Sequence, residues 1–234
     1  ITIGTGSDHG IADATAFNIT GGLANNVTTL SYDVLDGTKT IDASAYLGSI
    51  DLTYAEDKLI QSDSNDPIVL KGSTAGTADK LTAHASATNT GEVTITGFET
   101  IEFGSSAGAS TLDMKNISGV TTLAITSGGG VDSSLTIDNA SISTVDIGTT
   151  SVDYTGVTID YDLASITGSS DEVTFNLVNT VEMDVNTTGI ETVNIVAKAG
   201  AASAATDTIG IAASTVTNGT VNVSGADSDD NVTL

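Results

Sequence analysis

Residues 91–147 read GEVTITGFETIEFGSSAGASTLDMKNISGVTTLAITSGGGVDSSLTIDNASISTVDI. One short phrase recurs in them: Gly97-Phe98-Glu99-Thr100-Ile101-Glu102-Phe103, then Gly119-Val120-Thr121-Thr122-Leu123-Ala124-Ile125, then Ile142-Ser143-Thr144-Val145-Asp146-Ile147. Its signature is a threonine followed by an apolar, a variable and an apolar residue. The threonines Thr100, Thr122 and Thr144 stand at one constant interval. A fixed period of about 22 residues marks a chain built by stacking one unit. The phrase returns at Gly189-Ile190-Glu191-Thr192-Val193-Asn194-Ile195, a little over two such periods after Thr144, and in weaker form at Gly219-Thr220-Val221-Asn222-Val223.

Each phrase reads as a strand, because apolar and polar residues alternate and many are β-branched or aromatic. Ile101 and Phe103 share one face, Thr100 and Glu102 the other. A second short strand precedes each phrase, at Val93–Ile95, Leu112–Met114 and Leu135–Ile137, and Gly, Ser, Asn and Asp supply turns between them. Two strands and two turns cannot enclose a core alone, but stacked units share one. The predicted fold is therefore all-β, a parallel β-solenoid of about 22-residue coils. Stacked antiparallel β-sandwich domains are the alternative, since short strands with frequent turns suit them too.

Working outward, residues 81–234 form the repeat region, and 1–80 a less regular β region continuous with it. Strands are expected at 1–3, 17–20, 29–34, 40–44, 49–54 and 68–70, with Asp36-Gly37 as a tight turn and Pro67 just before a strand, where it costs no ladder bond. Further strands are expected at 157–161 and 173–177, where the regular spacing slips, as an inserted segment or a coil of different length would cause. Residues 197–206 are small and read as a loop or one helical turn. The chain ends inside what reads as a strand, as a segment cut from a longer polypeptide would.

Composition bounds the function. Aromatics are 4% and Trp is absent, so the core is built from Val, Ile, Leu and Ala. The net charge is −24, from 30 acidic and 6 basic residues, all six lysine. Nucleic acid as a partner is disfavoured, since it needs a basic face, and anionic membranes are disfavoured likewise. No apolar run approaches the ~18 residues of a membrane span. So much negative charge must be spread out, screened or neutralised by cations. Calcium is the natural cation, because it takes oxygen ligands and the chain is rich in Asp and Asn. Cysteine is absent, which removes disulfides, thiolate zinc sites and cysteine nucleophiles.

The candidate metal ligands are Asp227, Asp229 and Asp230 near the C-terminal end, and Asp63, Asn65 and Asp66 in a polar loop. Each group sets oxygen ligands close together on a turn; the competing explanation is a solvated acidic loop. The stretch from Asp227 is no EF-hand, because Val232 stands where that loop needs glycine and the final Glu is missing. Gly104-Ser105-Ser106-Ala107-Gly108 matches a hydrolase elbow in letters only, since a strand rather than a helix follows. His9 and His84 make no zinc triad. Asn-x-Ser/Thr triplets, Asn116 and Asn186 among them, occur as chance predicts in so Ser- and Thr-rich a chain.

Ala78-Asp79-Lys80-Leu81-Thr82, the phrases at 97–103 and 119–123, and Thr40-Ile41-Asp42-Ala43-Ser44 give the chain a texture that resembles bacterial surface-layer proteins of the RTX-related, calcium-dependent kind exported by type I secretion. The likeness covers roughly 36–234. Of that family's calcium nonapeptide, residues 225–233 keep Gly225, Asp230 and Val232, but carry Ala226 and Ser228 in place of glycine. The resemblance implies a mostly parallel solenoid, Ca2+ as cofactor, and a secreted, extracellular, cell-surface location. The expected partners are copies of the chain in a lattice or fibre, with cell-surface polysaccharide engaged through another part of the chain. The function expected is structural and non-catalytic. The rivals are a stalk of a large RTX-type adhesin and a polysaccharide-degrading β-helix enzyme; the absence of Arg and Trp leaves the latter little with which to grip a sugar.

Overall fold

Strands form where apolar and polar residues alternate. The computed structural model describes residues 2–3, 16–24, 27–32, 40–54, 67–75, 78–85, 93–105, 110–127, 135–148, 154–162, 164–178, 181–186, 188–198, 206–211, 219–225 and 231–233. They hold β1 (Thr2–Ile3), β2 (Ala16–Gly21), β3 (Val27–Tyr32), β4 (Thr40–Tyr46), β5 (Ser49–Tyr54), β6 (Ile68–Lys71), β7 (Lys80–Ala85), β8 (Val93–Thr96), β9 (Thr100–Ser105), β10 (Ser110–Asp113) and β11 (Ile117–Ser118). They continue with β12 (Thr122–Ser127), β13 (Leu135–Ala140), β14 (Thr144–Ile147), β15 (Tyr154–Tyr161), β16 (Glu172–Val178), β17 (Val181–Asn186), β18 (Thr192–Lys198), β19 (Thr206–Ile211), β20 (Thr220–Gly225) and β21 (Asn231–Thr233). No helix occurs among the described residues, so none there is long and apolar enough to cross a membrane.

The chain is a parallel β-solenoid. Every strand pairing described is parallel, and a strand pairs with its counterpart one coil later rather than with the next strand in sequence. Antiparallel sandwiches are thereby excluded. Two compact units share this construction: 1–106 with 116–121, and 107–115 with 122–234. The first unit pairs the sheet β11-β8-β6-β4-β2 with strands in the order β1-β3-β5-β7-β9. The second pairs β10-β13-β15-β17-β19-β21 with β12-β14-β16-β18-β20.

In β9, Ile101 and Phe103 are fully buried while Thr100 and Glu102 are partly exposed, as the alternation requires. Four of the five phrases also turn the apolar residue two before the threonine inward, so Phe98, Val120, Ile142 and Ile190 are buried at the corner leading into the strand. Gly97, Gly119 and Gly189 precede three of them with φ of 72°, 85° and 87°, a backbone that side chains with a Cβ resist. The core is thin: Leu123, Val145, Phe175 and Ile195 belong to successive strands of the second unit, and each is at most 1% exposed.

The register of β12 on β14 places Thr122 opposite Thr144, so the repeat interval is one coil. Other coils differ. Thr144 meets Thr174, and Thr174 meets Asn194, through coils of 30 and 20 residues. The added length sits at a corner: 162–171 joins β15 to β16, whereas 141–143 suffices between β13 and β14. Only the strands must align; corners absorb insertions. The reading of 197–206 as a loop or one helical turn is corrected at its edges, where Ala197 and Lys198 end β18 and Thr206 begins β19; 199–205 lie outside the described residues, as does Asp36-Gly37. Pro67 stands immediately before β6.

Candidate functional site

The polar face of a parallel strand stacks like residues directly above one another, so side-chain chemistry repeats in columns. Leu112, Ile137 and Ile159 point into the core of the second unit, which turns Asp113, Asp138 and Asp160 to the opposite face. Asp113 pairs in register with Asp138, and Asp160 follows Ile159, the partner of Ile137. Asn139, in a left-handed conformation (φ 54°), marks a shift in register; its amide donates to Asp113 Oδ1 at 2.7 Å. Partial burial first, then the charges of Asp160 and Asp113, push the Asp138 carboxyl above the usual carboxylate range.

The sign follows from linkage. A raised folded value means that ionised Asp138 costs stability at neutral pH, and that stability rises as pH falls through that value toward the ordinary one. Asp138→Asn is therefore expected to stabilise the calcium-free chain at neutral pH by ~0.5 kcal/mol, solvent screening keeping the effect small. Urea unfolding should show the gain shrinking as pH falls from neutral toward the ordinary carboxylate range. A variant destabilised across that whole range would contradict this.

Other columns are paired, by lysine or by amide. Lys71 Nζ donates to Asp42 Oδ2 at 2.8 Å, and this bond, with that from Ser44, holds the Asp42 carboxyl down at about 2. Lys80 pairs with Glu102 at 2.5 Å. Asn176 donates to Asp146 Oδ1 at 2.6 Å, Asn194 to Glu172 Oε1 at 2.5 Å, and Asn222 to Asn194 Oδ1 at 2.8 Å. Such amide columns bind coil to coil at the strand spacing of ~4.8 Å.

A second recurring device is a carboxylate clasp. The backbone N–H of Asp79 donates to Glu99 Oε2 at 2.7 Å, and the Asp79 carbonyl accepts from the N–H groups of Glu99 and Thr100. Asp171 and Glu191 repeat it: Asp171 N–H donates to Glu191 Oε2 at 2.9 Å, and the Asp171 carbonyl accepts from Glu191 and Thr192. In both cases the partners are 20 residues apart. The signal in sequence is Asp79-Lys80-Leu81-Thr82 with Glu99-Thr100, matched by Asp171-Glu172-Val173-Thr174 with Glu191-Thr192. Repeat reading by threonine alone missed it. Asp79 Oδ1 also accepts the Ile50 N–H, and its carboxyl is shifted upward, by burial first.

The residues singled out as metal ligands, Asp227, Asp229, Asp230, Asp63, Asn65 and Asp66, lie outside the described residues. Among the described residues no group of three or more His, Asp or Glu side chains is arranged to hold a metal. His84 falls on β7, and His9 lies outside the described residues. Gly104 and Ser105 belong to β9, and the rest of that five-residue match, 106–108, is outside the described residues.

The fold and these columns define the class as an acidic parallel β-solenoid. No known family matches the chain, and no curated protein or solved structure matches it either.

Proposed function

We propose that the chain is a structural, non-catalytic segment of a secreted surface-layer protein that self-assembles into a calcium-stabilised lattice outside the cell. The observation that carries the reading is the column Asp113, Asp138 and Asp160, like charges on successive coils of one outward face with the central carboxyl shifted upward. A protein of net charge −24 repels its copies, and a divalent cation shared between carboxylates turns that repulsion into attraction. The solenoid suits such a role because its core is shared from coil to coil and its polar columns repeat along each unit.

Removal of calcium is the test. With calcium at about millimolar concentration, the affinity range of extracellular sites, the chain is expected to sediment as large assemblies, and excess chelator should return it to the monomer. Magnesium at equal concentration should not replace calcium, because it dehydrates reluctantly. Assembly that survives chelation, or a chain that stays monomeric with calcium, would overturn the reading. Electron microscopy of cells separates a sheet from the fibre that an adhesin stalk would form.

A further inference from the structure

We propose that β20 is a self-pairing edge, at which two copies of the chain join antiparallel about Asn222 into a twofold dimer. β20 stands outermost in its order, β12-β14-β16-β18-β20, and the strand described against it is β18. That pairing runs from Thr220 to Gly225 without a register shift. Every residue of β20 is exposed. Val221 and Val223 are 38% and 46% exposed, although their register partners Val193 and Ile195 are fully buried. Columns that are core one coil earlier run out into solvent at β20, so what covers it must continue the interface that β18 makes with β20.

Exposed edges are ordinarily blunted by charge, proline or a bulge. β20 has none of these. The strands that precede it in the order, β14, β16 and β18, carry Asp146, Glu172 and Lys198, whereas β20 reads Thr-Val-Asn-Val-Ser-Gly, without a charge or a proline, and its pairing shows no bulge. In a chain of net charge −24, an uncharged edge is where a second copy meets least repulsion.

The residues of β20 select both the partner and its direction. The strand is a chemical palindrome: Val221 and Val223 flank Asn222, and Thr220 and Ser224 flank the valines. Antiparallel pairing with a copy sets Val221 against Val223, Thr220 against Ser224 and Asn222 against Asn222, which is the self-complementarity a twofold contact requires. β-Branched pairs and hydroxyl pairs are favourable directly across antiparallel strands. Asn222 uses one amide N–H on Asn194 Oδ1 at 2.8 Å. A side-chain amide has a second N–H and an oxygen, which are what a facing amide needs. An unrelated extended peptide would gain the backbone bonds without these side-chain matches.

The pairing needs charge screening rather than calcium, so it and the calcium lattice can fail separately. The test is sedimentation equilibrium in chelator and about 1 M sodium chloride, where charges are screened beyond ~3 Å. A reversible dimer is expected at chain concentrations of roughly 0.1–1 mM, since one strand pair is a small contact. Nothing larger should form, because a twofold contact closes on itself. Asn222→Asp and Asn222→Lys, which set like charges face to face, should each weaken the dimer about threefold or more. Their mixture should pair more tightly than either alone, a restoration that misfolding would not produce. Asn222→Cys reads the register. Pairing about residue 222 puts the two Cα atoms ~4.5–5.5 Å apart, within disulfide reach, so oxidation should give a covalent dimer. The chain has no other cysteine to compete. Thr220→Cys is the control, because its two copies would stand four residues apart along the pair, ~13 Å, beyond reach. Absence of a dimer in screened solution overturns the proposal. So does cross-linking of Thr220→Cys as readily as Asn222→Cys, or dimerisation unchanged in both charged variants.

Discussion

Phe175→Ala is expected to lower the unfolding free energy by about 3–5 kcal/mol, the range for deleting a buried aromatic side chain. Phe175 is 1% exposed and stands in register between Val145 and Ile195 of the neighbouring coils. The cost should fall at the upper end, because the cavity cannot collapse along the axis. Backbone hydrogen bonds hold the coils at ~4.8 Å, so Val145 and Ile195 cannot close the gap. Such a loss is a large share of the ~5–15 kcal/mol that stabilises a typical domain. Phe175→Leu, nearer in volume, should cost under about 1.5 kcal/mol. Urea unfolding followed by circular dichroism measures both. A loss below about 1 kcal/mol for the alanine variant would show that the core does not transmit between coils as described.

Gly148→Ala should cost on the order of 3 kcal/mol, from two causes that add. Gly148 has φ of 99°, outside the comfortable range of an L side chain, and a Cβ there would overlap the Val178 carbonyl oxygen one coil later. Retreat is blocked on the other side, where the Gly148 N–H donates to the Ile125 carbonyl at 3.0 Å. Gly21 supplies the control. Its φ is 88°, yet a Cβ would meet nothing within 4 Å, so Gly21→Ala should cost only ~1 kcal/mol from backbone strain. If the two variants lose equal stability, close approach of the coils contributes nothing at Gly148.

How far sequence reasoning reached is visible in particular elements. Thr122 and Thr144, aligned by the constant interval of the phrase, are register partners. Thr192, the threonine of the next clear phrase after Thr144, is not its counterpart: it pairs with Glu172, while Thr144 stacks through Thr174 onto Asn194. The shift is two residues, which keeps every side chain on its face and so leaves the apolar pattern unchanged. Alternation therefore could not reveal it. β17 and β19 went unread, although Val181, Met183 and Val185 alternate with polar residues, because neither carries the threonine phrase. The strands preceding each phrase looked equivalent. In the structure β8 belongs to the five-stranded sheet, β10 and β13 to the six-stranded one.

What the amino-acid order determined alone was local and periodic: the strands that carry the repeated phrase or stand just before it, which of their faces turns inward, and that the units stack in parallel. Period-two patterning and a repeated phrase carry that information because both arise from the geometry of one coil. Tertiary structure alone decided the unequal coil lengths, the acidic column of Asp113, Asp138 and Asp160, and the clasps that join Asp79 to Glu99 and Asp171 to Glu191. Those depend on how long each corner is and on what it lays beside its neighbour, and corners carry no alternation to read.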